Sequence, residues 1–282
     1  INGLRYNDTK YKKKNSIFFN LSKKNNLLIG SSVVFGIGAS SDKKTISSLL
    51  STKGEMYLNL GNRAFNQFQE IIFFLTTFIK IKKINKIVIF SGLNDIFLFN
   101  NRYIRNEFPG PIYWNNQFID TMNNLSLKKD KTFNFKELFF ELFNFKSKKK
   151  NFFINSNPIT FDEILLRNFS ILKLLEKSLN IKVSFVLQPY LSWCKEPSKE
   201  EKKIIKYTNL RDDKYLYKLI ANSYIKYKKI FEKTCNKTGI DFHDSNRYVK
   251  NHASRKDFLF IDNVHLNDEG NKLISKFIKS IK

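Results

Sequence analysis

With 282 residues, 42% of them hydrophobic, the chain is long enough to bury a substantial core, which excludes disorder as its ground state and fits one large domain or at most two. Its 50 Lys and Arg against 25 Asp and Glu give a net charge of +25, which favours anionic polymers, nucleic acid or an anionic membrane surface as partners, although the lysines are scattered through most segments as on a solvated surface. Two distant cysteines, Cys194 and Cys235, without C-x-x-C spacing, exclude a disulfide framework and a structural zinc site and leave the compartment open.

The chain opens at Ile1 and not at Met, so an upstream signal or anchor could have preceded it. Residues 1–26 read as a leader and 27–282 as the domain proper. The first strand is the apolar run NLLIG, closed by Gly30, with a helical stretch following at Thr45 to Leu50. Next come the strand EMYLNLG, closed by Gly61, and a helix from Phe65 to Lys80. Within that helix IIFFLTTFI is too short to span a bilayer and is followed by lysines, so it reads as buried and amphipathic. The strand KIVIFSG closes at Gly92. The rhythm then breaks over 97–157, a Phe- and Asn-rich segment long enough to be an insertion, with a lid over a substrate cleft as its functional reading. It resumes with a helix from Phe161 to Leu179, the strand KVSFVLQP closed by Pro189, and a helix from Tyr215 to Glu232. DFHD around His243 reads as a capped strand end. This alternation predicts an α/β chain, a parallel sheet sandwiched between helices, with ligands beyond the carboxyl ends of its strands.

The stretch LLIGSSVVFGIGASSD carries three glycines, at 30, 36 and 38, around Ser31 and Ser32. A dinucleotide turn needs a third glycine where Ser41 stands; a phosphate loop needs a G-K-[ST] ending; and the G-x-S-x-G elbow is not matched. What remains is a serine presented as a nucleophile just after the first strand, which needs a base, an acid to orient it and an oxyanion site. Near the C-terminus FIDNVHLNDEG places Asp262 three residues before His265, with Asn267 and Asp268 as caps of a last helix. From one short loop, Asp262 can fix the tautomer of His265 so that its other nitrogen faces Ser32. The loops after Gly61 and Gly92 offer a backbone amide and the Asn94 side chain as oxyanion donors.

Taken together and in this order, Gly30-Ser31-Ser32, Gly61, Gly92-x-Asn94-Asp95 and Asp262-x-x-His265 resemble the four sequence blocks of the SGNH (GDSL) hydrolases, over the chain from about Leu27 to Ile281. The resemblance implies a flavodoxin-like three-layer α/β/α sandwich with about five parallel strands, and no metal or cofactor. It implies Ser32 as nucleophile, His265 as base, Asp262 as orienting acid, and the amides of Ser32 and Gly61 with the Asn94 side chain as the oxyanion hole. Ser31 stands where the family often has Asp, in a Gly-Ser-Ser variant similar to bacterial members acting on glycans. The NGLR stretch at Asn2 to Arg5 is similar to the leader of members with an upstream anchor. The expected activity is hydrolysis of small acyl esters, acetyl esters of surface carbohydrate above all, through an acyl-enzyme. O-acetyl transfer by the same residues and a silent, basic polyanion-binding module are the alternatives. Trp114, Tyr190 and Trp193, near strand-end loops, are the expected sugar-stacking residues, and no specific nucleic acid partner is expected.

Overall fold

The structure of the protein, a computed structural model, describes residues 5–8, 13–15, 25–78, 83–100, 159–208 and 214–281. A short antiparallel hairpin, β1 (Tyr6–Asp8) with β2 (Lys13–Asn15), precedes a five-stranded parallel sheet. The sheet consists of β3 (Asn25–Gly30), β4 (Met56–Gly61), β5 (Ile84–Ser91), β6 (Lys182–Leu187) and β7 (Asp241–Asp244), in the order β4-β3-β5-β6-β7. Strands covered on both faces need apolar residues at successive positions, which is why LLI, IVIF and VSFV read as continuous runs. Alternate residues feed two cores. Leu27, Ile29, Ile87, Ile89, Val183, Phe185 and Leu187 enter one, and Leu28, Val88, Phe90 and Val186 the other.

The first face is covered by α3 (Gln67–Phe78), α4 (Leu93–Asn100), α5 (Phe161–Leu179) and, further along the chain, α9 (Tyr224–Thr238). The opposite face receives α1 (Ser32–Phe35), α2 (Ile46–Leu50), α10 (Ser245–His252) and α11 (Asp268–Ser280). The short α6 (Leu191–Cys194), α7 (Lys199–Thr208) and α8 (Lys214–Ala221) link β6 to α9. The result is the expected α/β/α sandwich on a flavodoxin-like strand order. No helix among the described residues is long and apolar enough to cross a membrane.

Several details differ from the sequence reading. The helix read from Tyr215 to Glu232 is two helices, because at Asn222-Ser223 the Ser223 hydroxyl donates to the Leu219 carbonyl and the Ser223 amide to that of Ile220, closing one turn before the next begins. Helix α4 carries the chain through Phe97, which is buried, to Asn100. Of the segment read as a lid, 97–157, residues 97–100 thus belong to this helix, and the rest lies outside the described residues. Of the segment read as a leader, Arg5 pairs with Asp42 at 2.8 Å, Asn7 is fully buried and donates to the Tyr57 carbonyl, and Asn25 and Asn26 already belong to β3.

The strand order reverses between β3 and β5, since β4 lies on the outer side of β3. At such a switch point the loops leaving the two strands part to opposite faces and open a crevice at the carboxyl edge. Ser31-Ser32 follows β3 and Gly92-Leu93-Asn94 follows β5.

Candidate active site

Ser32 is the first residue of α1, directly beyond the end of β3. That helix is a single turn, closed by Gly36 at φ 99, where the left-handed backbone lets its amide donate to the carbonyls of Ser32 and Val33 at 3.0 and 3.1 Å. The turn holds Ser32 at the sheet edge with 8% of its surface exposed. As the first helical residue, Ser32 has an amide with no acceptor one turn back within the helix.

The partner arrives on a tight hairpin formed by residues 259–267. An antiparallel bridge joins Phe260 to Leu266; the amide of Ile261 donates to the His265 carbonyl at 2.9 Å, and that of Asn267 to the Leu259 carbonyl at 2.9 Å. At its tip Asp262 Oδ1 accepts from the amides of Val264 (2.7 Å) and His265 (2.6 Å). Its Oδ2 lies 2.6 Å from His265 Nδ1, and His265 Nε2 lies 2.8 Å from Ser32 Oγ. Asn267 then caps α11, its Oδ1 accepting from the Gly270 amide at 3.0 Å, as its place in the sequence predicts.

The hairpin is held from below as well. The Asn263 carbonyl accepts from the Leu191 amide at 3.0 Å. Glu201, fully buried, accepts from the amides of Leu259 (2.9 Å) and Phe260 (3.0 Å) and pairs with Lys195 at 2.5 Å. Glu201 was not singled out in the sequence, though Ser198-x-x-Glu201 is a legible capping box, and both of its bonds are formed.

Burial acts to raise the Asp262 carboxyl, but the hydrogen bond and charge of His265 and the amides of His265 and Val264 outweigh it and hold the group below its ordinary value. An ionised carboxylate only accepts, so Nδ1 carries the imidazole proton and Nε2 accepts from the Ser32 hydroxyl. A serine hydroxyl so placed can pass its proton to the ring as it attacks an electrophile, while Asp262 stabilises the charge that develops there.

The opposite rim is less simple. Asn94 Nδ2 donates to the Phe65 carbonyl at 2.7 Å, which leaves the second hydrogen of its amide. The Gly61 amide, expected as an oxyanion donor, instead donates to Asn59 Oδ1 at 2.9 Å. Gly61 is glycine for packing: a Cβ there would overlap the backbone of Val34 and Phe35, so α1 can lie directly on the end of β4. Asn59 was not foreseen, its place being inside a buried strand.

The expected sugar-stacking residues do not gather at the crevice. Tyr190 and Trp193 are 1% and 6% exposed and belong to the core. Their rings pack edge-on at 5.3 Å, Tyr190 also meets Phe97, and the Trp193 indole donates to the Ile220 carbonyl at 2.8 Å. In the turn after Pro189 the Tyr190 amide donates to Asn246 Oδ1 at 2.9 Å. Trp114 lies outside the described residues. Among the described residues no group of three or more His, Cys, Asp or Glu is placed to hold a metal ion.

No protein-family model matches the chain, and no curated protein matches it. Solved structures do. An acetyl xylan esterase, AlAXEase, superposes with a TM-score of 0.51 at 13% identity, covering 91% of this chain and 98% of its own. A member of the lipolytic G-D-S-L family from Veillonella parvula superposes with a TM-score of 0.50 at 10% identity, over 92% and 97% of the two chains. The protein shares the α/β/α fold of these two structures.

Proposed function

We propose that the protein is a serine-dependent acyl-ester hydrolase of the SGNH type. The observation that carries this reading is the unbroken chain Ser32 Oγ, His265 Nε2 and Nδ1, Asp262 Oδ2, with contacts of 2.8 and 2.6 Å at the switch point of the sheet. Ser32 attacks the ester carbonyl while His265 takes its proton; the tetrahedral oxyanion is held by the Ser32 amide and the second Nδ2 hydrogen of Asn94. Gly61 is left out, because Asn59 engages its amide. As the intermediate collapses, His265 returns the proton to the leaving alcohol and an acyl-enzyme remains. Water, activated by the same imidazole, then releases the acid; a sugar hydroxyl in its place makes the enzyme an acetyltransferase.

Acetyl esters of carbohydrate are the substrate class we favour, supported by the fold shared with an acetyl xylan esterase and by a net charge of +25, which suits an acidic glycan. A bound but unreactive scaffold is disfavoured, since a silent module has no need of a serine hydroxyl aimed at an oriented imidazole. The test is labelling with a fluorophosphonate probe. The parent protein is expected to label at Ser32, and Ser32→Ala and His265→Ala to lose the label; persistent labelling in both variants overturns the assignment. Acetylated glycan offered alone, and an acetyl donor offered with bare glycan, separate hydrolysis from transfer.

A further inference from the structure

The mechanism leaves unused a buried polar group directly behind Asn94. The loop of residues 62–66 leaves β4 beside the nucleophile, where the Asn62 amide donates to the Gly30 carbonyl at 3.1 Å. It contains Ala64 at φ 59, a left-handed backbone that an L residue keeps only when its surroundings impose it. Two consecutive residues of α4 hold the residues that follow it. Asn94 holds the Phe65 carbonyl, and both carboxylate oxygens of Asp95 accept from the Gln67 amide, at 3.2 and 3.1 Å, in the first turn of α3. The end of the loop and the start of α3 are thus held by two neighbouring side chains of α4, the Asn94 carboxamide and the Asp95 carboxylate, the latter 7% exposed.

The groups that face this carboxylate set its ionisation. From α3 comes Glu70, 1% exposed, whose Oε1 accepts from Ser91 Oγ at 2.7 Å and whose Oε2 is buried with no hydrogen-bond partner. From α5 comes Arg167, which donates to Asn168 Oδ1, while Asn168 in turn donates to Gln67 Oε1 at 3.0 Å. Burial raises the Asp95 carboxyl to about 7, against the Gln67 amide, its own backbone amide and the Arg167 charge, which lower it. Burial, and then the Asp95 charge, raise Glu70 as well. When Asp95 takes up a proton, one of its two acceptor oxygens becomes a donor facing an N–H, and the clasp on Gln67 weakens.

We infer that Asp95 is a positioning residue for acyl transfer, an ionisable clasp that fixes the Asn94 carboxamide and the 62–66 loop beside Ser32, so that the site is fully assembled only when Asp95 is charged. The inference rests on the esterase reading above. It predicts that two deprotonations, of the imidazolium and of Asp95, must precede full activity.

The experiment is the pH dependence of kcat/KM for para-nitrophenyl acetate with the parent, Asp95→Asn and Asp95→Ala. The parent is expected to show an acid limb steeper than one proton allows, and Asp95→Asn, which is never charged and keeps one acceptor oxygen, a one-proton limb with a lowered plateau. Asp95→Ala should lose at least about tenfold in kcat with little change in KM, because an oxyanion donor acts in the transition state. A one-proton limb in the parent, or the same limb in Asp95→Asn, overturns the inference while leaving the esterase reading in place. Should Asp95→Ala fail to fold, the comparison of parent with Asp95→Asn decides alone. A parent that turns over no ester and takes no fluorophosphonate label overturns both.

Discussion

Asp262 acts through two oxygens with separate duties. Oδ1, taking the amides of Val264 and His265, folds the tip of the hairpin, and Oδ2 orients the imidazole. An Asp262→Asn variant that keeps the first duty fails at the second: its Nδ2 hydrogens face Nδ1, favouring the tautomer that turns an N–H toward Ser32. Ester turnover is expected to fall by about 10⁴ with the fold retained, read as kcat alongside a circular dichroism spectrum. The pH sign for this residue follows from its lowered carboxyl. Its contribution to stability is present above the ordinary value of 3.8 and is lost as pH falls through the depressed one, so Asp262→Asn should flatten the acid end of the parent's unfolding curve. These two residues and Ser32 were legible in the sequence because each rests on a local pattern: a glycine-rich turn after an apolar run, and an acid three residues before a histidine. Position beside a strand end does not tell which way a ring points, and the rings of Tyr190 and Trp193 pack into the core.

Between elements, the decisive contact is α1 lying on the end of β4. Gly30 and Gly61 are paired in register, and the absence of a side chain at Gly61 lets the backbone of Val34 and Phe35 come within contact. Gly61→Ala therefore forces α1, and Ser32 with it, off the sheet. Overpacking of this kind is expected to cost about 1–3 kcal/mol in denaturant unfolding and to lower kcat beyond what the stability loss explains. In the sequence alone the same glycine offers its amide as an oxyanion donor. Nothing in a single strand reveals that Asn59, two residues earlier on the same chain face, reaches forward to claim that amide. The four long apolar strands were legible from their runs, whereas β7, DFHD, is short and half exposed and showed only as a capped end. The split between α8 and α9 escaped as well, since the apolar spacing continues across Asn222-Ser223 while side-chain and backbone bonds there end the first helix.

Across the molecule, the buried carboxyls of Glu70 and Asp95 make stability depend on pH in the sense opposite to Asp262. Both hold protons in the folded state that the unfolded chain has released above the ordinary carboxylate range, so stability falls as pH rises from there toward neutrality. The slope amounts to at most about 1.4 kcal/mol per pH unit for each group. Glu70→Gln keeps the acceptor for Ser91 and removes one titrating group, so its urea midpoint should decline less than the parent's between about pH 5 and about pH 8. Comparing the two proteins cancels the general effect of a net charge of +25. The overall sandwich was legible from the alternation of elements, and the crevice from the general behaviour of such sheets. The order of the strands was not, because it depends on pairings between segments far apart in the chain. The contact between Ser32 and His265 spans 233 positions. On the proposed mechanism, a nascent chain emerging from the ribosome carries an ordinary alcohol at Ser32 until the segment bearing His265 has been made and has docked, so the appearance of chemical reactivity would serve as a clock for that docking.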